Sequence, residues 1–219
     1  MSGTIPPEYG AQHPLSINRE SRAAEWLAAN ARVFGAVAAI VAVAAVGTVA
    51  WRSSERAKAG RAEQALYQAE GSMSQGDAAQ TERSLRDIAT RYSGTPAGAE
   101  AQLLLAQTLY DAGRYQDGLQ VLGRGKAPAD LAEAVQLLTA AGYEGVGRPV
   151  EAAKIYEALA GGSGLVASRA AELRAAAARA YQLGNDPASA LRTWRSISVG
   201  PSGPLVDEAR VRIGELAGA

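Results

Sequence analysis

The sequence predicts an all-α protein: a single N-terminal transmembrane helix followed by a domain of stacked helix pairs. Three observations carry this. Nineteen residues from Val33 to Trp51 hold no charge and are bounded by Arg32 and Arg52. From about Ala62 onward the chain is Ala-rich with helical periodicity, uninterrupted by alternating β-branched residues. Gly76, Gly113, Gly147 and Gly184 recur 37, 34 and 37 residues apart, a period that suits a helix-turn-helix repeat.

The chain begins with Pro6, Pro7 and Pro14, interspersed with Gly3 and Gly10, and with too little apolar content to bury, so residues 1–18 read as a disordered tail. Residues 19–32 change character. Ala23, Trp26, Leu27 and Asn30 fall three to four apart and predict a short amphipathic helix leading into the span.

The span itself covers 33–51, long enough to cross nearly all of a hydrocarbon core of roughly 30 Å at about 1.5 Å per residue. Trp51 at its end suits a membrane interface. Ala42-Val43-Ala44 imitates a signal-peptide cleavage site, but thirty-two residues precede the run and it exceeds the roughly 7 to 15 residues of an h-region, so it reads as a retained anchor. Beyond it, Arg52, Arg56, Lys58 and Arg61 among Ala and Leu predict that the helix continues out of the bilayer, its basic side chains at the head groups.

Residues 52–219 form the repeat domain. In the tetratricopeptide pattern a small residue precedes the turn glycine by seven positions and another follows it by five. The second unit fits best, with Leu105, Ala106, Leu109, Gly113, Tyr115, Gly118 and Leu122 in place. Ala140, Tyr143, Gly147, Ala152, Tyr156 and Leu159 make a third. In the fourth, Ala177, Ala180 and Gly184 match, but Ala190 and Trp194 then require one extra residue in the turn Gly184-Asn185-Asp186-Pro187. The first, with Ala69, Gly76, Leu85 and Ile88, is degenerate. Thr95-Pro96 and Asp186-Pro187 each open a helix with a cap and a proline in its first turn. Pro204 to Leu216 supplies a closing amphipathic helix. The expected fold is a right-handed helical-repeat, tetratricopeptide-like domain.

Composition excludes several function classes. With 22 basic and 22 acidic residues there is no general attraction to nucleic acid. The absence of Cys removes thiol chemistry, disulfides and zinc sites of the Cys type, and the one His, His13, cannot build a multi-histidine site or serve a serine triad from the tail. Gly161-Gly162-Ser163-Gly164 is followed by Leu165 rather than a Lys, so it reads as a loop between helices and not as a phosphate cradle. Asp207-Glu208 suits a helix N-terminus. The chain is therefore expected to be no enzyme and to need no cofactor or metal.

What remains is the groove that stacked helix pairs create along their first helices. Transferring its positions onto this register gives Gln107, Tyr110, Asp111, Glu144, Arg174 and Tyr181 as the expected protein-binding residues. Tyr143, Tyr156 and Trp194 fall on packing positions.

Glu25-Trp26-Leu27-Ala28-Ala29-Asn30 before the span, Trp51-Arg52 at its end, the segment from Ala101 to Leu122, Ala190-Leu191-Arg192-Thr193-Trp194, and Asp207 to Leu216 form a recognisable arrangement. It resembles the YfgM-type ancillary subunit of the SecYEG translocon, from about Asn18 to Leu216. The resemblance implies a bacterial inner-membrane protein with its helical domain in the periplasm. It also implies association with SecYEG, periplasmic chaperones or exported chains in a chaperone-like adaptor role. The Pro-containing tail is longer than the resemblance accounts for. Arg19, Arg22 and Arg32 before the span against Arg52, Arg56, Lys58 and Arg61 after it give no usable orientation bias, so sidedness rests on the resemblance. The alternative is a homo-oligomer: a structural, assembly or signalling subunit that pairs through helix faces, such as Gly35 with Ala39, with its domain facing the cytoplasm.

Overall fold

The computed structural model describes residues 26, 29–74, 76–125, 128–200 and 202–218. The tail expected over 1–18 and most of the helix expected over 19–32 lie outside the described residues. Within the latter, the Asn30 side-chain amide donates to the Trp26 carbonyl at 2.8 Å.

Nine helices are present among the described residues. They are α1 Ala31–Ser74, α2 Ala78–Arg91, α3 Pro96–Asp111, α4 Tyr115–Leu122, α5 Ala132–Gly145, α6 Pro149–Ala160, α7 Ala167–Leu183, α8 Pro187–Ser198 and α9 Pro204–Ala217. The chain divides into two compact units, one ending at Glu55 and one beginning at Arg56.

In the first unit, α1 supplies a helix long and apolar enough to cross a membrane. Among the described residues of this segment the large apolar side chains are exposed: Ile40 is 69% exposed, Val43 73% and Val46 70%. The hydroxyl of Thr48 donates to the Ala45 carbonyl at 2.8 Å, and those of Ser53 and Ser54 turn back in the same way on Ala50 and Trp51. A hydroxyl satisfied within its own helix is a device that suits an apolar surrounding.

In the second unit the helices pair in sequence, and one turn joins the members of every pair. The first helix ends, one residue takes a left-handed conformation, the next caps the following helix, and that helix begins. The left-handed residues are Gly76, Gly113, Gly147 and Asn185, with φ of 79°, 73°, 73° and 54°. The residue after the left-handed one reaches back over the turn: Arg114 N–H donates to the Leu109 carbonyl, Arg148 to Tyr143 and Asp186 to Tyr181, at 2.8, 2.8 and 2.9 Å. This satisfies carbonyls that a helix end would otherwise leave orphaned.

The fourth turn corrects the sequence-derived register. It holds no extra residue. Gly184 is the helix C-cap at φ −83°, and Asn185 takes the left-handed place, which Asn tolerates better than most residues. Counted from Asn185, the small residue seven positions before is Ala178 and the one five positions after is Ala190, both fully buried. The first unit, degenerate in sequence, has the same geometry. Ala69 and Thr81 stand seven before and five after Gly76, each 2% exposed.

These small residues set the packing. Ala69, Ala106, Ala140 and Ala178 occupy one equivalent position, and Thr81, Gly118, Ala152 and Ala190 the other, so paired helices approach closely at each crossing. Nine residues after each left-handed position a larger side chain fills the adjoining space, namely Leu85, Leu122, Tyr156 and Trp194. From α2 onward successive helices pack on one another, and α3 also touches α5 while α7 touches α9, which stacks one pair on the next.

The apolar side chains gather in three clusters. Ala62, Leu66 and Ala69 of α1 join Leu85, Ile88, Ala101 and Leu105 in the first. Trp194 centres the last, among Ala177, Ala178, Ala190, Ile197, Val206 and Ala209. Between them lies a small cluster of Ala106, Tyr110 and Leu122.

Because Asn185 alone among the four turn residues carries a Cβ at positive φ, Asn185→Val is expected to lower unfolding free energy by about 1–2 kcal/mol, and Asn185→Gly to leave it unchanged or raise it. Denaturant unfolding of the full chain in detergent checks both.

Candidate protein-binding surface

The six residues expected to line the groove divide into three kinds of environment. Gln107 and Asp111 lie one helical turn apart on α3, both exposed, and the Gln107 amide donates to the Asp111 carboxylate at 3.3 Å. Glu144 on α5 is also exposed at the surface, yet surrounding protein raises its carboxyl above the ordinary value, partly offset by a hydrogen bond with the Tyr156 hydroxyl. Arg174 on α7 is half-buried. Tyr110 and Tyr181 are buried, 7% and 4% exposed.

The two tyrosines are therefore corrected from groove residues to packing residues. Tyr110 lies where α3, α4 and α5 meet. A Cβ at Gly118 would collide with its ring, and one at Gly142 with its hydroxyl, so both glycines exist to admit this side chain. Its ring stands 5.4 Å from that of Tyr115. Its hydroxyl finds no hydrogen-bond partner among the described residues, and burial pushes its pKa up to about 12. Tyr181 is better provided for. Its hydroxyl donates to Glu157 at 2.8 Å, and the hydroxyl of Thr193 donates to the other carboxylate oxygen at 2.8 Å, so one acidic side chain on α6 ties down both α7 and α8. Desolvation first, then that hydrogen bond, pushes Tyr181 up to about 12.

The corrected register also changes which residues of α7 stand at these positions. Six positions before the left-handed residue, where α3 has Gln107, α7 has Arg179. Three before, where α3 and α5 have Tyr110 and Glu144, it has Gln182, and two before, opposite Asp111, it has Leu183. Arg179 forms a two-pronged ion pair with Glu208 of α9 and lies 5.8 Å over the Trp194 ring. Gln182 accepts from the Trp194 indole N–H at 3.0 Å, whereas Leu183 is 75% exposed. The signal was present in the spacing of Ala190 and Trp194, which pointed to Asn185 rather than Gly184.

Ion pairs join separate helices along the domain. Arg114, in the turn before α4, grips both oxygens of Glu82 on α2 at 2.9 and 3.0 Å and also holds Asp117. Arg169 of α7 reaches Glu133 of α5 at 3.1 Å. Among the described residues no three His, Asp or Glu side chains group so as to hold a metal ion.

A stack of helix pairs with repeated turns and an exposed polar surface along its first helices defines a helical-repeat protein of the kind that binds other proteins along an extended face. Residues 24–140, just over half of the chain, match the family model for the tetratricopeptide repeat-like domain, and the chain belongs to that family. The same turn recurs at Gly147 and Asn185, past the end of the match. No curated protein matches the chain at a significant level.

Two outcomes follow from these environments. Tyr110→Phe is expected to preserve or raise stability, by up to about 1 kcal/mol, because it removes a buried hydroxyl without a protein partner, whereas Tyr181→Phe is expected to lower it by about 1–2 kcal/mol by withdrawing a donor from Glu157. Unfolding of the two variants side by side decides. Arg179 holds the Glu208 carboxyl below the usual carboxylate range through its hydrogen bond. The native state thus binds fewer protons than the unfolded chain. The resulting stabilisation is present above the unfolded carboxylate pKa of roughly 4.3 and is lost as pH falls through the depressed native value. Between pH 6 and 3, Glu208→Gln is expected to flatten the acid side of the stability profile.

Proposed function

We propose that this protein is a membrane-tethered interaction scaffold, a chaperone-like adaptor that serves exported proteins beside the SecYEG translocon, with its repeat domain in the periplasm. The observation that carries the reading is the combination of one apolar helix at the amino end with a stack of helix pairs that keeps Gln107, Asp111, Glu144 and Leu183 exposed. Tethering converts a bulk concentration into a high local one, so weak contacts along such a surface become effective. The translocon and the periplasm enter from the resemblance in the juxtamembrane, repeat and closing segments. Partners by this reading are translocon subunits, periplasmic chaperones or the exported chains themselves.

The competing reading, self-association through the end of the stack, finds less support. The exposed side of α9 carries the ion pairs Asp207–Arg210 and Arg212–Glu215, with exposed Val211 between them, a surface more charged than a helix-stacking face.

Sidedness is tested with the cysteine-free background. Ser2→Cys and Ser202→Cys variants are treated, in intact cells, with a membrane-impermeant thiol reagent. Labelling of Ser202→Cys alone is the expected result, and labelling of Ser2→Cys alone would place the repeats in the cytoplasm and end the translocon reading. With the first result in hand, photocrosslinkers at Gln107 and Glu144 are expected to capture translocon subunits or exported chains.

A further inference from the structure

Near the carboxyl end of the stack, α7, α8 and α9 enclose an open groove of about 340 Å³. Its walls are largely apolar: Ala167 and Ala171 of α7, Ile197 of α8, and Pro204, Leu205 and Val206 of α9. Exposed apolar residues adjoin two of these walls in the chain, Val166 next to Ala167 at 68% exposure and Val199 next to Gly200 at 85%. Arg174 is the one charged side chain of the lining.

Arg174 stands apart among the arginines of the second unit, where the others without an ion pair, Arg56, Arg61, Arg83, Arg124, Arg192 and Arg195, are all exposed. Arg86, Arg91, Arg114, Arg148, Arg169, Arg179, Arg210 and Arg212 each have a carboxylate. Arg174 is half-buried and has no ion pair with any described residue. It stands eleven positions before Asn185, where the earlier units have Ala65, Gln102 and Gln136 before Gly76, Gly113 and Gly147. A neutral residue therefore suffices at this place in the stack, and the guanidinium is not required by the repeat. A guanidinium that lines an apolar groove without an ion pair gains most from a carboxylate that meets it with two parallel hydrogen bonds.

We propose that this groove binds an extended segment of a partner protein in which an acidic residue is flanked by large aliphatic ones, the aliphatic side chains filling the apolar walls and the carboxylate pairing with Arg174. With exposed Val166 and Val199 next to the lining residues of α7 and α8, the segment is taken to pass through the groove instead of ending at Arg174, and its carboxylate to belong to an Asp or Glu side chain. The inference rests on the interaction reading above and adds the chemistry of the recognised segment.

The test uses the full chain in detergent micelles and a fluorescent nonapeptide, acetylated and amidated, with a central Leu-Glu-Leu in a Gly/Ser background. Its twin carries Leu-Gln-Leu. The first is expected to bind at least about fivefold tighter, as a charge-assisted hydrogen bond in a half-buried site requires. Arg174→Gln is expected to abolish that preference, and Ala171→Trp, which fills the groove, to abolish binding of both while leaving the helical circular dichroism intact. Equal affinity of the two peptides, an undiminished preference in Arg174→Gln, or equally tight binding of a Leu-rich peptide whose only carboxylate is its C-terminus would overturn the proposal. So would self-association of the chain that Ala171→Trp prevents, since a second copy would then be the occupant. Crosslinks from Gln107 and Glu144 read separate positions, so captured partners together with a failed peptide test would remove this inference and leave the scaffold reading standing.

Discussion

The domain depends on one constraint, the close crossing of two helices joined by a left-handed turn. Each turn requires one residue at positive φ, and each crossing requires a small residue on both helices. With Ala178 and Ala190 fully buried in one pair, and Gly118 leaving room for the Tyr110 ring in another, the helices of a pair pack closer than Leu or Val at these positions would allow, and the first helix of the next pair can then stack on the result. A core built this way is rich in alanine, and alanine buries little area per residue. Volume has to come from a few large side chains, which is why Trp194, Leu85, Leu105 and Leu109 are the largest among the fully buried ones.

The same shortage of bulk explains what happens at the centre of the stack. There α5 offers only Ala140 and Gly142 as buried residues, and α4 only Gly118 and Leu122. Tyr110 supplies the missing volume, placed against two glycines, and it carries a hydroxyl into a place with no protein partner for it. Polar links compensate along the surface instead: Glu82 with Arg114, Glu133 with Arg169, and Glu208 with Arg179. Exposed pairs of this kind contribute little individually, and their value here lies in fixing which helix sits beside which. Glu157 does the same from a less exposed position, accepting from residues of two other helices.

Much of this was legible in the sequence because repeats write the same requirement several times. The helices, the capped starts at Thr95-Pro96 and Asp186-Pro187, the loop around Gly162 and the closing helix all follow from local chemistry that needs no knowledge of the neighbours. The fourth register did not follow, because a glycine looks like the natural left-handed residue and Asn185 stands directly beside one. Helix geometry settles that choice only when Ala178 and Ala190 are seen to be buried together. Tyr110 and Tyr181 were misplaced for a different reason. A tyrosine on the first helix of a repeat suits a binding surface in isolation, and only the small size of Gly118 and Gly142, or the reach of Glu157, reveals that its ring points inward.

Arg174 illustrates the boundary between these two sources of information. From sequence it is one arginine among many, assigned to a surface by counting from Gly184. In the structure it is the half-buried charge of an apolar groove, at a position where three equivalent residues are neutral. Folding alone gives no reason to keep a guanidinium there, since no carboxylate among the described residues pairs with it and neutral side chains serve at the equivalent positions. A charge of that kind, confined to one unit of an otherwise repetitive stack, marks the place where the repeat has departed from what folding requires, and a carboxylate arriving with apolar neighbours is the ligand that would pair with it.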